Sequence, residues 1–284
     1  MTSALRYEAI VFDLDGTLYR GPTPIAGAVD TVNGLREHVA CRFLSNNGER
    51  DGATLIERLR GMGFNVDPGD VISSADLVLR AMREYARGTR VLALSSQQLA
   101  GALADAGYVL VDDPSAEVVV VGVDRRLTRE RLVAGLRAME KGADLVASNE
   151  DPTYPGGDGL RPAAGAYVGF FRGMGYEPSR FCGKPDEGAV RSALDTWELE
   201  CPERCLFVGD NRKTDIEAAR RIGADSVLVL SGVSRNQADK GEASATAAIP
   251  TVAELDLAWL SSTHDPRTDA SSAVGIQSAQ GGRT

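Results

Sequence analysis

The sequence predicts an α/β protein built on a doubly wound parallel sheet, and three observations carry that prediction. Short apolar strands alternate with amphipathic helices along most of the chain, and polar, glycine-containing runs follow several of those strands. The 284 residues also exceed the ~100 to 200 of a typical domain, so one large or two moderate α/β domains are expected.

Taken in order, Glu8 to Phe12 reads as a buried strand that ends in Asp13-Leu14-Asp15-Gly16-Thr17. A helical pattern follows from about Ala26 to Val39, then the short strand Arg42-Phe43-Leu44, which opens into the turn Ser45-Asn46-Asn47-Gly48. An amphipathic helix covers about Ala53 to Met62 and is stopped by Gly63. From about Asp76 to Phe181 a second α/β unit is expected, with strands at 90–94, 118–122 and 144–147 and helices near 99–106 and 129–141. The first pattern then resumes: a helix over 186–197, a strand over 205–208, a helix over 214–222 and a strand over 226–230. Asn149 to Gly165 is too rich in Gly and Pro for a core element and reads as a loop, either an ordinary solvent-exposed connection or a substrate-facing one whose Asn149, Asp151 and Arg161 recognise the leaving group. Beyond Leu260 large apolar residues almost vanish, which predicts a disordered tail.

Composition narrows the function. With 31 basic against 40 acidic residues the net charge is -9 and the basic residues do not cluster, so nucleic acid is not an expected partner. No apolar run approaches the ~18 residues that span a membrane, and the first ten residues lack the basic-then-apolar pattern of a secretory signal; a soluble cytoplasmic protein is expected. Cys41, Cys182, Cys201 and Cys205 are scattered, and with only His38 and His264 beside them they supply a zinc site poorly, so they read as free thiols without a role.

Four polar stations carry the chemistry: Asp13 to Thr17, Ser45-Asn46-Asn47, Gly183-Lys184-Pro185, and Gly209 to Asp215. In open α/β sheets the loops at the carboxyl ends of strands converge, so groups distant in sequence can share one site. Alternation along an extended chain puts Asp13 and Asp15 on one side, and two close carboxylates call for a hard dication such as Mg²⁺, with Asp210 completing the metal ligands. Phosphoryl transfer requires a nucleophile, neutralised oxygens and a proton for the leaving alkoxide. Asp13 suits the first, because a carboxylate can form a covalent phosphoryl intermediate, and Asp15 suits the proton transfers, with Thr17 holding it. Ser45, Asn46 and Lys184 can meet phosphate oxygens, with Asn47 in the same turn. Asp215 reads as orienting Lys184 or a metal-bound water, and whether it or Asn211 touches the metal stays open.

In this order and spacing the stations resemble the haloacid dehalogenase-like superfamily of aspartate-nucleophile phosphatases. FDLDGTLYRGPTPIAGA, LSNN, ASNEDPTYPGGDGLRPAAGA, CGKPDEGAVRSAL and VGDNRKTDIEAA resemble the branch of p-nitrophenyl, phosphoglycolate and ribonucleotide monophosphatases. The resemblance implies a Rossmann-like core of residues 1–75 and 182–262, an inserted α/β cap of residues 76–181 that selects substrate, and a tail of 263–284. It implies Asp13 as nucleophile, Asp15 as acid/base with its backbone carbonyl on Mg²⁺, Ser45 and Lys184 as phosphate stabilisers and Asp210 as metal ligand. Gly48-Glu49-Arg50 departs from the branch, which usually carries small hydroxyl residues and a basic one there.

The expected activity is therefore Mg²⁺-dependent hydrolysis of a small-molecule phosphate ester such as phosphoglycolate, glycerol phosphate, a sugar phosphate or a nucleotide monophosphate. A phosphomutase or phosphotransferase, and a non-catalytic phosphometabolite-binding protein, are the alternatives, and a homodimer through the cap is left open as an assembly.

Overall fold

The computed structural model describes residues 5–156, 159–234 and 244–261. The disordered tail read over 263–284, with His264, lies outside them. The elements in chain order are β1 (Ala9–Phe12), β2 (Tyr19–Arg20), β3 (Thr23–Pro24), α1 (Ala28–Arg36), β4 (Ala40–Ser45), α2 (Gly52–Gly61), β5 (Val71–Ser73), α3 (Ser74–Met82), β6 (Arg90–Leu94) and α4 (Gln97–Asp105). They continue with β7 (Val109–Leu110), β8 (Val118–Val121), α5 (Arg129–Glu140), β9 (Asp144–Ala147), β10 (Thr153–Gly156), β11 (Gly159–Pro162), α6 (Ala164–Arg172), β12 (Arg180–Phe181), α7 (Glu187–Thr196), β13 (Cys205–Gly209), α8 (Glu217–Ile222), β14 (Asp225–Val229) and β15 (Ala247–Ile249).

The contacts divide the chain into two compact units, residues 1–41 with 201–284, and residues 42–200. In the first, β15, β14, β13 and β1 lie side by side in that order and every pairing is parallel. The strands are buried on both faces and accordingly read as unbroken apolar runs, as in Ala9-Ile10-Val11-Phe12 and Cys205-Leu206-Phe207-Val208.

The second unit contains the parallel pair β4–β5 and a five-stranded parallel sheet in the order β12-β9-β8-β6-β7. Its central strand is four consecutive valines, each without exposed surface, which suits β-branched side chains on a doubly covered sheet. Leu92, Val119, Ala138, Leu145, Val168 and Phe171 pack a core between this sheet and helices α5 and α6. Helix α3 starts at a capping box, in which the Ser73 hydroxyl accepts from the Asp76 N–H while the Asp76 carboxylate accepts from the Ser73 N–H.

Three differences from the sequence-based expectations stand out. The segment 149–165 is not a plain loop: β10 and β11 form an antiparallel hairpin, with Tyr154 opposite Arg161, before α6 begins at Ala164. Gly159 at φ +130 belongs to that hairpin, and β11 is exposed throughout, so the Gly and Pro content marks a sheet outside the core rather than the lack of one. The helix read over 214–222 starts with a π-helical turn, Arg212–Ile216, before α8. The β2–β3 hairpin had no separate sequence signal, since it is two residues long on each side.

Candidate active site

In the first unit, β1 and β13 pair with Phe12 opposite Val208, and the Asp13 N–H continues the ladder to the Val208 carbonyl at 2.8 Å. Asp13 therefore leaves β1 where Asp210 leaves β13, two carboxylates at the ends of adjacent strands. Asp215 joins them through the π-helical turn: its N–H donates to the Asn211 carbonyl at 2.8 Å while its carboxylate accepts from the Asn211 N–H at 3.0 Å. One extra residue in a turn re-aims the side chains that follow, which is why such turns recur at functional sites. Carboxylate oxygens of Asp13, Asp210 and Asp215 all lie within 4.8 Å of one another, Asp13 half-buried and the other two buried.

The Thr17 hydroxyl, fully buried, bridges Asp13 Oδ2 at 3.2 Å and Asp210 Oδ1 at 3.4 Å. It serves these two carboxylates, not Asp15 as the sequence reading had it. Asp15 is exposed and its side chain is not in the cluster; β1 ends at Phe12, so strand alternation does not govern the two aspartates. Segment 231–234 clamps Asp210 and was missed in the sequence. Ser231 Oγ donates to the Gly16 carbonyl at 2.7 Å, the Val233 N–H to Asp210 Oδ2 at 2.6 Å and the Ser234 N–H to the Asp210 carbonyl at 3.1 Å. Gly16 and Gly232 let backbone crowd this carboxylate: a Cβ on Gly16 would stand 2.6 Å from Asp210 Oδ2, and one on Gly232 would overlap it. No motif announces residues 231–234; an apolar strand followed by Ser-Gly is the only signal.

The second unit assembles the other stations. Asn46 Nδ2 donates to the Lys184 carbonyl at 2.9 Å and its Oδ1 accepts from the Lys184 N–H at 2.8 Å. The same Nδ2 lies 2.9 Å from Asp151 Oδ2. Asn149, buried, donates to the Asn46 carbonyl at 2.7 Å and accepts from the Asp151 N–H at 3.1 Å. Asn149 and Asp151 thus bond to the Asn46 turn and to each other. Asn47 Oδ1 accepts from the Glu49 and Arg50 N–H groups, closing the turn, and Ser45 Oγ accepts from the Asn47 N–H at 3.2 Å. Lys184, 2% exposed, carries its cation among buried groups. Arg161 is exposed on β11.

Three like-charged carboxylates this close, with hard oxygen donors, fit a hard dication. Of the relatives, the acid sugar phosphatase of Staphylococcus epidermidis is 32% identical over 230 residues, covering 80% of this chain and 88% of that protein. The chain belongs to the haloacid dehalogenase-like hydrolase family. The family's models agree, matching residues 10–109 as a haloacid dehalogenase-like hydrolase and residues 181–255 with a second, related model. The p-nitrophenyl phosphatase from Archaeoglobus fulgidus superposes with a TM-score of 0.79 at 30% identity, covering 87% of this chain and 97% of that one. Glycerol phosphate phosphatase from Mycobacterium tuberculosis, solved in complex with magnesium, superposes with a TM-score of 0.77 at 28% identity, covering 92% of this chain and 81% of that one. Haloacid dehalogenase-like members of this kind carry an α/β cap on a Rossmann-like parallel-sheet core, the fold class expected from the sequence. Among the described residues no helix is long and apolar enough to cross a membrane.

Proposed function

We propose that this enzyme, a phosphoric monoester hydrolase, uses Mg²⁺ and an aspartyl-phosphate on Asp13 to hydrolyse a small neutral-alcohol phosphate such as a sugar phosphate or glycerol phosphate. The observation that carries the reading is the convergence of the Asp13, Asp210 and Asp215 carboxylates within 4.8 Å, with the Thr17 hydroxyl on the first two. The substrate class follows the relatives, an acid sugar phosphatase and a glycerol phosphate phosphatase.

In this reading Asp13, Asp210 and Asp215, with the Asp15 carbonyl, hold the metal, which when bound neutralises charge on the phosphate oxygens. Asp13 attacks phosphorus, forming its bond as the bond to the ester oxygen breaks, and Asp15 gives that oxygen a proton. Asp15, now ionised, takes a proton from the water that displaces phosphate from Asp13. Its exposure fits a group that exchanges protons in each half-reaction. Lys184, the Ser45 hydroxyl and the Asn46 N–H are suited to offset the remaining charge of a phosphoryl group. Residues 76–181 act as the substrate-selecting cap on a core of 1–75 and 182–262, and the enzyme works in the cytoplasm.

Phosphate release from a panel of esters, with Mg²⁺ and with excess chelator, tests this. Metal-dependent release from neutral polyol phosphates supports it, and release that survives chelation overturns it. For assembly, the edge strand β7, with Val109 and Leu110 exposed, is the edge a homodimer through the cap would use. Light scattering on the purified chain decides that point.

A further inference from the structure

The carboxyl ends of the strands of an open parallel sheet normally receive a ligand. In the five-stranded sheet the ends of β6, β8 and β9 receive the chain's own loop 46–49. After β6, Ser96 Oγ donates to the Glu49 carbonyl at 2.9 Å. After β8, Arg125 grips the Glu49 carboxylate with two bonds, Nε to Oε1 at 2.8 Å and Nη2 to Oε2 at 3.0 Å. After β9, Ser148 packs so closely on Gly48 that a Cβ there would stand 2.6 Å from its hydroxyl oxygen. The Glu49 N–H in turn closes the turn onto Asn47 Oδ1 at 3.0 Å.

We infer that Glu49, held by Arg125, is a positioning residue that fixes the Ser45-Asn46-Asn47 turn for phosphoryl transfer, an inference that rests on the phosphatase reading above. The guanidinium draws its raised basicity first from its hydrogen bonds to Glu49. Arg125 is 62% exposed against 23% for Glu49, so the pair adds little to global stability, and its worth lies in geometry. A bidentate carboxylate–guanidinium contact fixes orientation as well as distance, and a misplaced phosphate donor costs rate more than binding.

The test compares Glu49→Gln, Arg125→Gln, the double variant and the swap Glu49→Arg/Arg125→Glu in the full-length enzyme. Glu84→Gln, which breaks an equally bidentate exposed pair with Arg180, is the control. Each single variant lowers kcat by about tenfold with KM within about twofold, the double is no worse than either, and the swap recovers most of the loss. Amide hydrogen exchange at residues 46–50 accelerates in both single variants and not in the control, whether or not substrate is turned over. Additive losses, or unchanged exchange, overturn the inference. A wild-type enzyme that releases phosphate from no ester sinks the phosphatase reading instead, and the exchange comparison then still decides what Glu49 does to the loop.

Discussion

Asn46 and Lys184 hold each other through a paired amide contact: the Asn46 side chain donates to the Lys184 carbonyl at 2.9 Å and accepts from its N–H at 2.8 Å. A side-chain amide here pairs with both backbone groups of Lys184, so the placement of the residue that carries the cation depends on Asn46. Asn46→Ala leaves both backbone groups of Lys184 without these partners, at about 1–3 kcal/mol by the usual penalty for a buried unmade bond. Denaturant unfolding is expected to show that loss together with a fall in kcat/KM. Asn46→Asp, which adds a charge beside Asp151, should do worse than alanine.

At the other set, Gly16 has φ +101 and no room for a Cβ beside Asp210. Gly16→Ala is expected to displace that carboxylate and weaken metal binding at least tenfold. Thermal shift measured against Mg²⁺ concentration reads this directly, because a ligand that binds only the folded state stabilises it by RT ln(1 + L/Kd), with L the free ligand concentration. An unchanged Mg²⁺ dependence would mean Asp210 does not serve the metal.

Thr17→Val keeps the volume and removes the hydroxyl shared by Asp13 and Asp210. Stability should fall by about 1 kcal/mol, and Thr17→Ser, which restores the donor, should recover activity more than stability. Equal activity in the valine variant would show that the bridge does not hold Asp13 for the reaction.

Burial pushes the Cys182 and Cys205 thiols up to about 12 from an ordinary 9.0. A group protonated more firmly in the folded state than in the unfolded one contributes stability that is complete below the unfolded value and lost as pH rises toward the folded one. Melting temperature should therefore decline from pH 9 to pH 12. A thiol reagent at pH 8 should label Cys201, the partly exposed thiol, well before the buried Cys41, Cys182 and Cys205.

Much of this was legible in the sequence. Strands at 90–94 and 144–147 fall where periodicity put them, because unbroken apolar runs between turn residues have few other readings. Asp13 and Asp210 were legible as strand-end carboxylates. The place of Asp215 was not, since a π-helical turn leaves no trace in residue type, and neither was the clamp of Ser231 and Val233, which acts largely through backbone. Asn149 and Asp151 were visible as polar residues on a Gly- and Pro-rich stretch, but only distances reveal that they hold Asn46.

The covalent step is the claim on which the rest depends. Rapid acid quench of the enzyme with an activated aryl phosphate, followed by peptide mass mapping, should find one phosphoryl group on the peptide containing Asp13. It should accumulate in Asp15→Asn, where water attack lacks its base, and be absent from Asp13→Asn, which should also lose turnover. Turnover at the wild-type rate in Asp13→Asn, or phosphate trapped on any other residue, would contradict the account.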